Sequence, residues 1–184
     1  GQFALACVAG LAMQNGALWW AAHHRVHHRT SDREGDPHSP RDGFWWSQVL
    51  WIFAYREKRL EEVRDLTRYP ELVWLDRFNQ LPAILLGAFL WIRFGFPEFL
   101  WGFAASTVVC WHSSSAVNSL GHRFGSRPHE TGDSSTNHWL LALLSLGDGW
   151  HNNHHRYSQS ARHGFKPWEI DLTYYALRAL EVVG

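Results

Sequence analysis

Residues 78–117, FNQLPAILLGAFLWIRFGFPEFLWGFAASTVVCWHSSSAV, decide the fold. Between 78 and 94 only Asn79, Gln80 and Arg93 interrupt the apolar run. Gly95-Phe96-Pro97-Glu98 reads as a turn, and 99–117 is apolar again, with Trp101 and Trp111 inside it. Two such segments joined by a tight turn predict a transmembrane helical hairpin. The first is slightly short against the ~20 residues that span a bilayer, which tilt or local thinning accommodates. Arg93 stands near its end, where it can snorkel to the headgroups. A buried helical hairpin in a soluble domain fits the same pattern. A spanning hairpin crosses twice, so its two flanks share one side. Arg56, Lys58, Arg59, Arg64, Arg68 and Arg77 precede it and Arg123 and Arg127 follow it, while the turn carries no cation beyond Arg93. The positive-inside rule makes both flanks cytoplasmic.

Outward from the hairpin, both flanks are rich in histidine. His24-Arg25-Val26-His27-His28 places imidazoles at i, i+3 and i+4, one face of a helix. His151-Asn152-Asn153-His154-His155 repeats the spacing. His122, in NSLGH directly after the second apolar segment, emerges on the same side. Seven imidazoles exceed a four-coordinate zinc shell and suit two metals, although ligand type alone admits zinc, copper, iron or nickel. No ExxH occurs, which excludes the soluble carboxylate di-iron bundles. A lone histidine is more often structural, so His23, His38, His112, His129, His138 and His163 are read as non-ligands. Asp32, Asp36, Asp133 and Asp148 are candidates to hold the outer ring nitrogens.

The rest of the sequence bounds the function. In 184 residues, 46% hydrophobic and 18% charged, there is ample material for one core. Lys+Arg and Asp+Glu both number 17, so no global field attracts nucleic acid. Cys7 and Cys110 form no CxxC, which excludes a disulfide framework and a cysteine zinc site and suits a reducing cytosolic face. Twelve tryptophans fit a membrane–water interface. Residues 2–22 are uncharged and predict a helix in the membrane, along its interface, or packed in the domain. Residues 44–55, FWWSQVLWIFAY, predict an amphipathic segment, and the run REKRLEEVRD after it a solvated helix face.

The boxes, their order and the hairpin between them resemble the integral-membrane acyl-CoA desaturases of the stearoyl-CoA (delta-9) type, in their bacterial form. HRVHH followed by SDREGDPHSPRDGFWWS, then NSLGHRFG, then SLGDGWHNNHH and WEIDLTYY carry the likeness over nearly the whole chain. HxxHH alone would also fit membrane hydroxylases. The resemblance implies an all-α integral-membrane fold: one desaturase domain over 1–184, a transmembrane hairpin at 78–117, and a cytoplasmic helical cap at 118–184. It implies two iron ions (Fe2+) held by His24, His27, His28, His122, His151, His154 and His155. Asn118 matches a residue holding a metal-bound water, Asn15 one near the acyl carrier, and Arg56 one near the CoA group.

Family members carry an earlier HxxxxH box and a first hairpin. The 23 residues before His24 contain neither, and the chain opens without Met, so it reads as a C-terminal part lacking two of the expected ligands. Ala22-His23, Tyr55 and Ser115 depart from the family's pattern around the CoA group, which leaves CoA, acyl carrier protein or lipid as the carrier. The implied activity is O2-dependent insertion of a cis double bond into a saturated acyl chain. Its electrons would come from cytochrome b5, a ferredoxin or a rubredoxin. The rival readings are a membrane di-iron hydroxylase and an inactive metal-binding membrane fragment.

Overall fold

A computed structural model describes residues 1–55 and 57–183. Among them the regular structure is all helical, as the sequence predicts, and the β pairing consists of two isolated bridges, Ser126–Asn137 and Asn137–Trp150. The chain divides into two compact units, Gly1–Arg29 with Leu50–His112, and Thr30–Val49 with Ser113–Gly184.

In the first unit, residues 2–22 form two helices rather than the single one expected: α1 (Gln2–Gly10) and the start of α2 (Ala17–Thr30). Met13 and Asn15 adopt left-handed φ values of 55° and 64°, which stop a right-handed helix. Gly16 follows because a Cβ there would collide with the Asp76 carboxylate. That close approach lets Asp76 Oδ1 accept the Trp19 N–H at 3.0 Å, so the start of α2 is capped by a side chain distant in sequence. Lys58 pairs with the other oxygen of Asp76 at 2.8 Å. Leu18 and Ala22 of α2 pack with Val63 and Leu72 as a small core, where each large aliphatic contributes about 1.5–3 kcal/mol.

In the charged run after Tyr55, residues 57–59 are irregular and Leu60–Val63 form one 3-10 turn. Acids of the run brace α2 from outside. Asp65 takes Arg25 at 2.6 and 2.8 Å, and Glu62 takes Arg29 at 2.7 Å on both nitrogens. After α3 (Trp51–Ala54) and α4 (Pro70–Arg77) comes the apolar hairpin. It consists of α5 (Leu81–Phe94), α6 (Phe96–Phe99), a π-helical segment (Leu100–Ala105) and α7 (Ser106–Ser119). The predicted four-residue turn is a single residue, Gly95, at φ 112°, and Pro97 sits in the first turn of α6, where its missing N–H costs nothing. Phe103 packs onto Gly87 closely enough that a Cβ there would meet its ring at 3.1 Å. Ile84, Phe89, Ile92, Trp101 and Val109 are exposed. Among the described residues no helix is long and apolar enough to cross a membrane.

Besides the end of α7 and a 3-10 turn at Pro40–Asp42, the second unit includes α8 (Trp139–Leu144), α9 (His151–Arg156) and α10 (Leu172–Val183) among loops. Buried asparagines and acids do the joining. Asn153 Nδ2 donates to the His163 carbonyl at 2.8 Å and to Glu169 Oε2 at 2.9 Å, and its Oδ1 accepts from Asn137 at 2.8 Å. Asn152 pairs with both backbone groups of His129, at 2.8 and 3.1 Å.

Candidate metal centre

The first box lies in α2, fourteen residues long, between its capped start and its braced outer face. His24 and His28, one turn apart, bring their Nε2 atoms within 3.0 Å. The His27 ring stands off, with its centroid 6.0 Å from that of His24 and 5.7 Å from that of His28. The three imidazoles share a face, but only the i, i+4 pair converges.

The second box, in α9, behaves alike. His151 and His155 approach to 3.0 Å through Nε2, and His122, just beyond α7, meets His151 Nε2 at 3.1 Å. His154 is again the outlier, 5.7 and 5.8 Å by ring centroid from His151 and His155. It packs against His163, with centroids 4.3 Å apart and planes tilted by 38°.

Carboxylates hold two of the three converging rings from behind. Asp32 Oδ2 lies 3.0 Å from His122 Nδ1 and also accepts the Ser134 N–H and hydroxyl at 2.7 and 2.6 Å. Asp133 Oδ2 lies 2.7 Å from His155 Nδ1, while its Oδ1 accepts from Ser135 N and Thr131 Oγ1. Burial acts to raise the Asp32 pKa, but the His122 and Ser134 bonds outweigh it and lower the group to about 2. Asp133 is likewise held below the usual carboxylate range, as the bonds from His155 and Ser135 overcome its burial. Burial lowers the His155 pKa despite Asp133, which favours the neutral, metal-binding imidazole.

A carboxylate at Nδ1 of a neutral imidazole favours the ring hydrogen there and leaves Nε2 to act as acceptor or ligand. The Nε2 atoms of His122 and His155 both face that of His151. Nitrogens 3.0–3.1 Å apart are spaced as adjacent ligands on one metal with bonds of about 2.1 Å. The donor set, with its carboxylate-backed imidazoles, fits a transition-metal ion.

The remaining candidates fall elsewhere. Asp36 is buried. It accepts the Asp32 and His38 backbone N–H groups at 2.8 and 3.1 Å, and burial raises its pKa to about 6. Asp148 pairs with His163 at 3.2 Å. Asn118 is half-buried in the last turn of α7, and Asn15 makes a long 3.5 Å contact to the Ile52 carbonyl. Arg56 lies outside the described residues. Of the histidines read as structural, His23 bonds the Trp19 carbonyl at 2.8 Å and stacks on that indole, and His138 caps α8 through Leu141 N. Sequence reasoning left the carboxylates unassigned and passed over Ser134, Asn152, Asn153 and Glu169. Position along the chain gives no signal for an Asp32–His122 pair separated by 90 residues.

Among the described residues, fold and site define an all-helical protein with a histidine-rich cluster compatible with metal binding. The chain belongs to the fatty acid desaturase family, whose profile matches residues 2–181. It is 43% identical over 178 residues to an acyl-CoA C20 Delta5-desaturase of Anemone leveillei, covering 94% of this chain and 57% of the relative. It is 40% identical to an sn-1 stearoyl-lipid 9-desaturase of Synechocystis, covering 95% and 56%. It is 37% identical to an sn-2 palmitoyl-lipid 9-desaturase of Nostoc, covering 100% and 67%. The chain thus spans little more than half the length of the first two relatives.

Proposed function

We propose that the full-length protein is an O2-dependent desaturase that introduces a cis double bond into a saturated fatty acyl chain. The reaction balances as R–CH2–CH2–R′ + O2 + 2 e⁻ + 2 H⁺ → R–CH=CH–R′ + 2 H2O. Its two electrons would come from a one-electron donor protein of the cytochrome b5, ferredoxin or rubredoxin class. The observation that carries the reading is the trio His122, His151 and His155, whose Nε2 atoms converge with Asp32 and Asp133 behind two of the rings. Side-chain acids and bases cannot break an unactivated alkyl C–H bond. Two iron ions would supply the oxidising chemistry.

In this reading His24, His27 and His28 from the first unit and His122, His151, His154 and His155 from the second act as iron ligands. Asn118 acts through a water, and Asn15 and Arg56 lie toward the acyl carrier. Asp32 and Asp133 fix the tautomer and plane of their histidines, and the protein's remaining task is to hold the acyl chain near the ligands. Relatives that act on acyl-CoA and on acyl lipids are both represented among the matches, and either carrier is compatible with this chain.

We place the protein in a membrane with the site on the cytoplasmic face. The exposed apolar side chains of α5 and the following helices support the membrane placement, and the cations flanking the hairpin support the side. The abutment of α6, the π segment and α7, with no residue between them, also supports the placement. Taken as one run at ~1.5 Å per residue, they match a hydrocarbon core of about 30 Å. The test is expression of the full-length protein in iron-replete cells, with metal analysis and mass spectrometry of the fatty acids. Iron together with a new cis-unsaturated acid is expected. A hydroxylated chain would favour the hydroxylase reading, and bound zinc without iron would defeat both.

A further inference from the structure

A helix on the surface of a soluble domain turns its apolar stripe toward the core. Helix α10 does the reverse. Leu172, Tyr175, Ala176, Ala179 and Leu180 follow the i, i+3, i+4, i+7, i+8 spacing of one face, and all five are exposed. The helix rests instead on the half-buried Tyr174 and Leu177. Helix α8 is also apolar on its outer side, where Trp139, Leu140, Leu143 and Leu144 are exposed while Leu141 and Ala142 are buried.

The two helices present one surface. Trp139 and Leu143 of α8 and Leu172 of α10 line a common cleft with Trp168 and Ile170. Hydrogen bonds hold its two sides together. Thr173 donates to the Leu146 carbonyl, at 2.8 Å through its N–H and 3.1 Å through its hydroxyl. Trp150 Nε1 donates to the Ile170 carbonyl at 2.8 Å. Asp171 caps α10 by accepting the Tyr174 N–H at 2.9 Å. The outward apolar face is therefore a fixed part of the fold.

The charges around this face say what covers it. Residues 139–147 carry none. Between 160 and 183 the Glu169 and Asp171 carboxylates are buried on backbone N–H groups, which leaves Glu181 against Arg162, Lys166 and Arg178. Two of these cations stand over aromatic rings, Lys166 at 5.6 Å from the Trp168 centroid and Arg162 at 5.5 Å from that of Tyr174. Trp139 and Trp168 are 67% and 69% exposed. Indoles beside aliphatic side chains, with cations reaching past them, suit a membrane–water interface, and the net positive rim complements anionic lipid headgroups.

We propose that α8, residues 168–172 and the outer stripe of α10 form a membrane-contact face, seated in the headgroup–acyl boundary of a bilayer that contains anionic lipid. An amphipathic helix in that position buries its apolar side by about 5–10 Å. The contact is additional to the hairpin at 78–117. It rests on the proposed membrane placement and on nothing of the metal centre.

The test uses the full-length protein in vesicles of phosphatidylcholine and phosphatidylglycerol. Leu172→Cys, Arg178→Cys, Leu180→Cys and Glu181→Cys are made one at a time in a background free of other cysteines, with Cys7→Ser and Cys110→Ser, and are labelled with an environment-sensitive fluorophore. Nitroxide-bearing lipid should quench the labels at positions 172 and 180 several-fold more than iodide does, with the reverse at 178 and 181. Iodide quenching at 172 and 180 equal to that at 181 would put the face in water and overturn the proposal. Labels at 172 and 180 shielded from both quenchers would mean that protein covers the face, and would also overturn it. If a labelled variant fails to fold, Trp139→Tyr combined with Trp168→Tyr decides. That variant should lose part of the tryptophan emission that brominated lipid quenches, and no loss would overturn the proposal. Release of the wild type from the vesicles by carbonate would strike the membrane placement itself, whereas a protein retained with a water-facing α10 defeats this inference alone.

Discussion

The two histidine boxes have the same spacing and the same local outcome, but they are held in different ways. The first rides on α2, long enough to keep its own geometry, with its start capped by Asp76 and its outer face braced by exposed ion pairs. The second occupies α9, six residues long and far below the length at which a helix stands alone. Its rigidity is borrowed from buried amide and carboxylate side chains on loops before and after it. One box depends on the regularity of a helix and the other on a network of contacts between distant segments. Damage around α2 should therefore be mild and local, whereas damage around α9 should reach the metal.

Removing a ligand has the largest expected effect. His155→Ala or His154→Ala in the full-length protein should abolish unsaturated product while leaving membrane insertion unchanged. Retained activity in either variant would remove that residue from the ligand set. Next comes the carboxylate behind the ring. Asp133→Asn keeps the shape but weakens the hold on His155 Nδ1, and metal affinity measured by competition should fall about 10–100-fold. An unchanged affinity would show that the second box holds itself.

A third prediction concerns the network alone. Asn153→Ala leaves buried partners on Asn137, Glu169 and the His163 carbonyl unmatched. It should cost about 3 kcal/mol in denaturant unfolding of the metal-free protein. The counterpart on the first box is Arg29→Ala. It removes a largely exposed pair with Glu62 and should cost less than about 1 kcal/mol. Equal losses for the two variants would erase the contrast between the boxes.

Two carboxylates of the second unit give the pH counterpart. Folded Asp36 binds its proton near pH 6, against an ordinary value of 3.8. Its contribution to stability is therefore full below about pH 4 and is lost as pH rises through 6. Asp32 runs the other way. With a folded value of about 2, it stabilises above 3.8 and loses that contribution as pH falls toward 2. Melting of the metal-free wild type and of Asp36→Asn between pH 4 and 7.5 should show the wild type losing ground to the variant as pH passes 6. Parallel curves would mean that Asp36 keeps its ordinary pKa in the fold.

The helical class, the apolar hairpin and both boxes were legible because each is written in local spacing. Apolar runs read as helices, and an i, i+4 histidine pair meets wherever a helix forms. The break at residues 11–16 was not foreseen, because it combines the left-handed Met13 and Asn15 with the approach of Asp76 to Gly16 from another helix. The single-residue turn at Gly95 was narrower than the four-residue pattern suggested, because Pro97 fits inside the first turn of a helix as well as before it. The charged run after Tyr55 looked helical by composition, but Asp65 and Glu62 within it are spent on Arg25 and Arg29.

By itself the sequence determined which imidazoles can meet along a helix, since 3.6 residues per turn is a property of the backbone. It also determined the desaturase family, through the order of its motifs. Only the tertiary structure decided which of four aspartates stand behind a ring, and that His154 packs against His163. Those outcomes depend on side chains that meet across 90 residues for Asp32 and His122 and 22 for Asp133 and His155. Such meetings follow from how loops are closed and packed, and no local periodicity encodes them.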